Sequence, residues 1–439
     1  MIKMKILFTY ILLFLFTIFS ANAQKMLPLE EAVATALQNN FDIRLAKKDS
    51  ISAEIDYGYR NVFFYPTLNA SASSVWNVNN QRQVLIDTSR SSNIRSNNLS
   101  TGLALNWVLF DGLRMFATRE KAGLILQAGS ISLKDKIITT VANVIKTYYS
   151  IARQKQLIEA TDVQIKLNEE RAKLAQYKLD IGTGAKPDVL QSKVDLNAQK
   201  SLRMQQETNV DVLKEQLLQA MNIKDRPEFD IPDTIPVNYN VVLGDILDDL
   251  ENVNPALKLA QKNIEVANLT LKETKAGLFP TVSFNSNYLF GRNQNSVAIN
   301  RFAPLFNRTL GLNYGFSANI PIFNQLRVRR QMKQDALNID FQKLQYENQR
   351  SLLNMQILNS FKSYEQQKKQ LKLEEENILL AEENVKIVYE TYRLGMATLL
   401  QLREAQNSLA QAYDRLIASR YNTKVSETEL MRLRGDIVK

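Results

Sequence analysis

The chain is written twice, and no other feature restricts its fold as strongly. Asn40-Phe41-Asp42-Ile43-Arg44-Leu45-Ala46-Lys47-Lys48 lies over Asn254-Pro255-Ala256-Leu257-Lys258-Leu259-Ala260-Gln261-Lys262 at an offset of 214 residues. Tyr65-Pro66-Thr67-Leu68 matches Phe279-Pro280-Thr281-Val282 at the same offset. One residue is then lost, and Leu109-Phe110-Asp111 over Ile322-Phe323-Asn324, Arg114 over Arg327, and Gly182 over Gly395 all run at 213. A tandem duplication of roughly 200 residues calls for two copies of one structural unit. The expected division is repeat 1 over 24–222, a proline-containing linker over 223–240 and repeat 2 over 241–439. Pro227, Pro232 and Pro236 keep the linker from being helical.

Within each copy the hydrophobic period changes twice. Leu29, Val33 and Leu37 step by four just after Pro28, which suits a helix start, and Asn39-Asn40 suggests a break in the helix. After Pro66 the period becomes two. The alternation predicts strands at about 66–76 and 98–110, and again at about 280–290 and 309–322. One face is apolar (Leu103, Leu105 and Trp107; Phe284, Tyr288 and Phe290), and the other is Ser, Asn and Gly. Long polar loops are expected over Asn77–Asn97 and Gly291–Arg308. Helices then run without proline, with Asp111 and Asn324 placed as N-caps. Ile138, Val141, Ile145, Tyr148 and Ala152 step by 3 and 4, a coiled-coil seam. A helix from Asn324 to Leu394 would be about 105 Å long, and turns are expected at Gly182, Gly184 and Gly395.

Composition narrows the chemistry. Lys3 and Lys5 precede an apolar run from Ile6 to Ser20 and an Ala21-Asn22-Ala23 site, so residues 1–23 read as a cleaved signal peptide and the mature chain as exported. There is no histidine and no cysteine, which removes the commonest general base, the commonest metal ligand and all thiol chemistry. No enzymatic activity, cofactor or metal is expected. The net charge of +10 is spread along helical faces, and an exported chain meets little nucleic acid, so no nucleic-acid partner is expected.

Four amphipathic strands could form a half-exposed soluble sheet packed on helices. They could instead form part of a transmembrane barrel, apolar side to lipid and small polar side to water. Strands of about ten residues reach across a bilayer when tilted, and the long loops all lie at one end, which favours the barrel. Four strands cannot close by themselves, and an open edge in lipid leaves backbone groups unpaired, so the barrel reading requires oligomerisation. The number of chains does not follow from this.

The paired Tyr65-Pro66-Thr67-Leu68 and Phe279-Pro280-Thr281-Val282 segments recur in one order with the corner Leu109-Phe110-Asp111-Gly112-Leu113-Arg114 and the tip segments Leu179-Asp180-Ile181-Gly182 and Tyr392-Arg393-Leu394-Gly395. In this order and spacing the mature chain resembles the TolC-like outer-membrane efflux channel family along essentially its whole length. The resemblance implies an α+β membrane protein. It would be a homotrimer whose four strands per chain complete a twelve-stranded β-barrel, above a coiled-coil tunnel in the periplasm. A periplasmic adaptor and an inner-membrane transporter are the implied partners, and the tunnel is gated at its helix tips. Family members narrow the pore with acids six and nine positions after each tip glycine. Asp188 and Glu404 fit that pattern, whereas Gln191 and Gln401 depart from it. Tyr392 is expected to bond toward Asp188, and Ala397 stands where an arginine is usual. Gly182, Gly184 and Gly395 are the implied adaptor-docking turns.

Arg114, Arg327, Arg329 and Arg330, with Lys333, begin the helices below the strands, where basic groups would meet inner-leaflet lipid phosphates. Gly182-Thr183-Gly184-Ala185-Lys186 lacks the phosphate-loop spacing and follows a helix, so it reads as a turn. Glu374, Glu375, Glu376, Glu382 and Glu383 read as a salt-bridged helix face with Lys368, Lys369 and Lys372. The competing readings are a non-conducting periplasmic coiled-coil adaptor or scaffold and, more remotely, a carboxylate hydrolase.

Overall fold

The computed structural model describes residues 25–84, 89–248, 250–299 and 302–437; the segment 1–23, expected to be a signal peptide, lies outside them. In chain order the elements are β1 (Lys25–Met26), α1 (Leu29–Asn39), α2 (Phe41–Gly58), β2 (Thr67–Val84), β3 (Ser89–Phe110), α3 (Arg114–Asp180) and α4 (Lys186–Met221). Then follow β4 (Phe229–Asp230), the short α5 (Leu243–Leu247) and α6 (Leu250–Val253), α7 (Pro255–Ala276), β5 (Thr281–Asn295), β6 (Phe306–Asn319), α8 (Arg327–Arg393) and α9 (Leu399–Arg434). Two helices have 67 residues, α3 and α8, and each is followed by one of 36 residues. Among the described residues no helix is long and apolar enough to cross a membrane.

The chain divides into two units. The first holds residues up to 47, 132–256 and 350–439, and is mainly helical, with the two-residue parallel pair β1–β4 and the extended stretch between α4 and α5 as exceptions. Its core forms where α1 meets α3 and α4: Ala32 and Ala36 are fully buried with Val144, Tyr148, Ile151, Leu217 and Met221. The alanines leave room for close helix approach, and the Tyr148 hydroxyl donates to the Leu27 carbonyl at 2.8 Å. Four of the five expected seam positions are buried, with Ile145 packed against them. The helix breaks at Asn40, as the paired asparagines suggest. The Asn40 side-chain oxygen accepts from the backbone N–H groups of Asp42 and Ile43 (2.8 and 3.3 Å), which starts α2.

The proline-rich stretch is extended but firmly packed. Phe229, Ile231 and Ile235 are buried, and Lys155 Nζ reaches Asp230, Asp233 and the Ile231 carbonyl. Asn238 N–H donates to Glu427, and the Tyr364 hydroxyl donates to the Asn238 carbonyl.

The second unit, residues 48–131 and 257–349, contains one antiparallel sheet in the order β2-β3-β5-β6. The register is continuous except for a shift at Val108/Phe110. The rows Leu103–Tyr288–Leu312 and Trp107–Phe284–Phe316 place the apolar residues on one face. On the other face Asn106 Nδ2 donates to Asn285 Oδ1 (2.7 Å) and Asn285 Nδ2 to Ser317 Oγ (2.9 Å). Within the chain β2 and β6 are the sheet's edges.

Three local expectations are corrected. The segment Asn77–Asn97 is not a long loop: the ladder runs from Asn77↔Ser96 to Val84↔Ser89, so β2 and β3 are far longer than their apolar alternation. Polar residues carry no periodic signal, yet their backbones pair equally well. β5 likewise extends to Asn295 and β6 begins at Phe306. β6 also ends at Asn319 and not at 322, because Pro321 has no N–H to give the ladder.

The third correction concerns the corners. Helices α3 and α8 start at Arg114 and Arg327, each after two residues with positive φ: Gly112 and Leu113 (73° and 70°), then Gln325 and Leu326 (55° and 60°). The Asp111 carboxylate accepts from Met115 N–H (3.1 Å), whereas Asn324 contributes its backbone carbonyl to Arg327 N–H (3.0 Å). A left-handed pair reverses the chain in a space too tight for an ordinary cap. A Cβ on Gly112 would come within 2.4 Å of the Ala276 carbonyl.

Candidate pore constriction at the helix tips

The sequence puts a helix-stopping glycine near the end of α3 and of α8, and the two turns that result have the same hydrogen bonding. Gly182 (φ +78°) and Gly395 (φ +80°) occupy the left-handed region, which favours glycine. Gly182 N–H donates to Leu179 O (3.0 Å), and Thr183 and Gly184 N–H both donate to Lys178 O (2.9 and 2.8 Å). Correspondingly Gly395 N–H donates to Tyr392 O (3.1 Å), and Met396 and Ala397 N–H both donate to Thr391 O (2.9 and 3.2 Å).

The helices that leave these turns start differently. Helix α4 begins after Ala185 with Pro187 in its first turn and no side-chain cap. Helix α9 begins with a capping box: Gln401 N–H donates to Thr398 Oγ1 (3.2 Å) and Thr398 N–H donates to Gln401 Oε1 (2.8 Å). Gln401 is therefore occupied with its own backbone. Asp188 is half-buried in the first turn of α4, and Glu404 is exposed on α9. Gln191 donates from Nε2 to Asp195 Oδ1 at 2.8 Å.

Tyr392 is buried, and Lys178 of the first tip packs against it. Lys178 Nζ lies 3.9 Å from the Tyr392 ring centroid and donates to the Tyr392 carbonyl, the same oxygen that closes the second turn. Burial first, and then the nearby Asp188 charge, raise the Tyr392 hydroxyl above its ordinary pKa. Asp188 and Tyr392 are thus neighbours electrostatically, and Lys178 adds a contact to the Tyr392 ring and to its carbonyl.

Eleven residues before Gly182, Arg171 is almost wholly enclosed, 2% exposed. It donates to Asp195 Oδ2 (2.6 Å) on α4 and Gln406 Oε1 (2.8 Å) on α9. Arg403 reaches the same Asp195 oxygen at 3.5 Å. Burial pulls the Arg171 guanidinium below its usual pKa, and Asp195 partly opposes that. Sequence reading missed Lys178, Arg171, Asp195 and Gln406. The signal was a second run of 3 and 4 spacing on α3, the buried Thr161, Gln164, Asn168, Arg171 and Ala175, which is polar where the first seam is apolar.

The basic residues expected at the lipid boundary are in the other unit. Arg114 and Arg327 are the first residues of α3 and α8, and Arg329 and Arg330 follow; all four are exposed. Among the described residues no cluster of acidic side chains could hold a metal ion. Glu374 is buried and bound by Arg415 Nε at 3.1 Å to both oxygens, and not by the lysines at 368–372.

Comparison with known proteins finds the same fold over most of the chain. Over 425 residues the chain is 21% identical to the probable efflux pump outer membrane protein TtgC of Pseudomonas putida, covering 93% of this chain and 82% of that protein. It is 22% identical to the cation efflux system protein CusC of Escherichia coli K12, covering 92% and 85%. Among solved structures, the outer-membrane channel OprN superposes with a TM-score of 0.76 at 18% identity, covering 93% of this chain and 90% of that one. The Campylobacter jejuni CmeC outer membrane channel gives 0.75 at 16% identity, covering 94% and 86%. The outer membrane efflux protein family profile matches residues 32–222 and 246–436, and the chain belongs to that family.

Proposed function

We propose that this protein is the outer-membrane duct of a tripartite efflux or secretion system, receiving cargo from a periplasmic adaptor and an inner-membrane transporter. The observation that carries the reading is the sheet: four antiparallel strands, apolar on one face and Asn/Ser-bonded on the other, with two edges open in the single chain. Backbone edges in lipid must be paired. Three chains would supply twelve strands and close the barrel, and the paired 67- and 36-residue helices of each chain would line a tunnel below it. The tandem repeat explains how each chain can contribute two similar sectors.

At the tips, Asp188 and Glu404 would narrow the pore, with Gln191 and Gln401 as its uncharged members. Lys178 against Tyr392, and Arg171 between Asp195 and Gln406, would hold the two hairpins of one chain together. Gly182, Gly184 and Gly395 shape the turns offered to an adaptor. Arg114, Arg327, Arg329 and Arg330 would face inner-leaflet phosphates. No cofactor enters this reading.

The test is membrane fractionation followed by planar-bilayer recording. Heat-modifiable trimers in the outer membrane and discrete channel openings, widened by Tyr392→Leu with Asp188→Ala, are expected. A soluble periplasmic monomer without conductance would instead establish the adaptor or scaffold alternative.

A further inference from the structure

At the repeat offset of 213 residues the long helices coincide end for end: Arg114–Asp180 falls on Arg327–Arg393, and Lys186–Met221 on Leu399–Arg434. A contact made in one repeat therefore has a defined counterpart in the other. Side-chain bonds give the helix order α4-α3-α9-α8. Arg171 and Arg203 tie α3 and α4 together through Asp195 and Asp162. Lys146 and Arg171 tie α3 to α9 through Glu429 and Gln406, and Arg415 of α9 holds Glu374 of α8. Helices α3 and α9 thus have a neighbour on each side, whereas α4 and α8 are the outer members.

The two outer helices expose what their counterparts cover. On α8, Leu373, Leu380 and Ile387 recur every seven residues and are 55–67% exposed. Their counterparts on α3 are Ala160, which is buried, Leu167, which packs on the core between α8 and α9, and Leu174, which is half-buried. On α4, Met204 is 61% exposed and Lys193 is exposed, while their counterparts on α9, Ile417 and Gln406, are 4% and 2% exposed. An apolar heptad stripe on a long helix is built for a partner helix.

The bonds between α3 and α9 supply the register of that partner. Gln406 accepts from Arg171 and donates to the Leu167 carbonyl (3.4 Å). Shifted by 213, its place is taken by Lys193, set between Leu380 and Asn384 on the turn that carries Glu383. Lys424 Nζ lies 5.5 Å from the Tyr149 ring centroid, and that contact becomes Asp211 opposite Lys362. The Ser150 and Tyr421 hydroxyls, 2.7 Å apart, become Ser363 beside Thr208. The Lys146–Glu429 pair becomes Asn359 with Gln216, two amides able to bond each other. Every transferred contact is chemically matched, and Lys193, Glu383, Asp211 and Lys362 are all exposed.

Resting on the duct reading above, we infer that the exposed face of α8 is covered by α4 of a second copy of this chain, in the register that α9 takes on α3, with Lys362 paired to Asp211 and Glu383 to Lys193 across the boundary. Such a head-to-tail contact repeats from chain to chain until the ring closes. The junction inside a chain is held by the enclosed Arg171, the junction between chains by surface ion pairs, which salt weakens. The ring therefore parts first at its subunit boundaries.

The chain has no cysteine, so an introduced pair provides its only thiols. Full-length protein in outer membranes, carrying Lys362→Cys with Asp211→Cys, should give covalent oligomers with a short thiol crosslinker. Met355→Cys with Asp211→Cys, one heptad or about 10 Å out of register on the same helix, should give roughly tenfold less. Independently, Lys362→Glu should lower the salt concentration at which the heat-modifiable oligomer dissociates, and Lys362→Glu with Asp211→Lys should restore it. Equal or greater crosslinking at the shifted pair, in an intact outer-membrane oligomer, would overturn this inference and leave the duct standing. Capture of a different polypeptide by the Lys362→Cys chain in place of a second copy would do the same, as would a charge reversal that the exchange fails to rescue. A chain that forms no oligomer in the outer membrane would overturn both.

Discussion

Asn40 and Asn254 make the same hydrogen bond at two places: Nδ2 of Asn40 donates to the Ala220 carbonyl, and Nδ2 of Asn254 to the Leu433 carbonyl, each at 2.7 Å. Both amides are buried, and both acceptors lie in the last turn of a 36-residue helix that ends in a left-handed residue, Asn222 or Gly435. Each asparagine thereby satisfies a carbonyl that the helix end leaves open.

Asn40→Ala removes that donor and the cap of α2 together, and should cost about 2 kcal/mol. Asn254→Ala should cost a similar amount, and the double variant close to the sum, since the bonds share no partner. Urea denaturation of the purified protein checks both values; loss below about 0.5 kcal/mol for each would contradict the assignment.

At Arg171 the asymmetry between partners is the measurable quantity. Asp195→Ala leaves a buried guanidinium with only Gln406, and should destabilise by about 3 kcal/mol or more. Arg171→Met removes the buried charge itself and leaves Asp195 with Arg403, so it should cost less. Both should raise the open probability in bilayer recordings if the link holds the hairpins together.

Gln401→Glu keeps the capping box and adds a negative charge at a helix N-terminus, where it is favoured by about 0.5 kcal/mol. Stability should therefore hold or rise slightly, while cation selectivity increases from the added acid at the tip. Gln401→Ala should instead lose about 1 kcal/mol. Reversal potentials in a salt gradient and thermal melts separate the two effects.

Glu429 supplies an acid-sensitive tie between α3 and α9. Burial alone would raise its carboxyl, but hydrogen bonds from Arg432 (2.6 Å) and Lys146 (2.7 Å) outweigh this and lower it from 4.5 to about 2. Its contribution is present above the unfolded value and is lost as pH falls from about 4.5 toward about 2. With partial solvation of the pair, Glu429→Gln should remove about 2 kcal/mol at neutral pH and flatten the acid limb of stability. Parallel melts at neutral pH and at about pH 3 would show the wild-type and variant curves converging in acid.

The sequence made the fold legible wherever apolar residues mark a period. Trp107, Phe284 and Phe316 announced the sheet's apolar face, and Gly182 and Gly395 announced the turns. Legibility failed where polar residues form regular structure, as in the Asn77–Val84 half of β2, because backbone pairing leaves no periodic trace there. It failed again at Arg171, whose burial depends on helices 24 and 235 residues away in the chain. At Gln401 the departure from an acid was visible, but its commitment to Thr398 was a matter of local geometry.

That commitment bears on mechanical behaviour. A closed ring of two reciprocal hydrogen bonds resists fraying, whereas the uncapped start of α4 relies on Pro187 and the helix dipole. Amide protons in the first turn of α9 should accordingly exchange more slowly than those of α4, which makes one corner of each chain stiff and the other compliant. A partner pressing equally on both would bend the compliant one first.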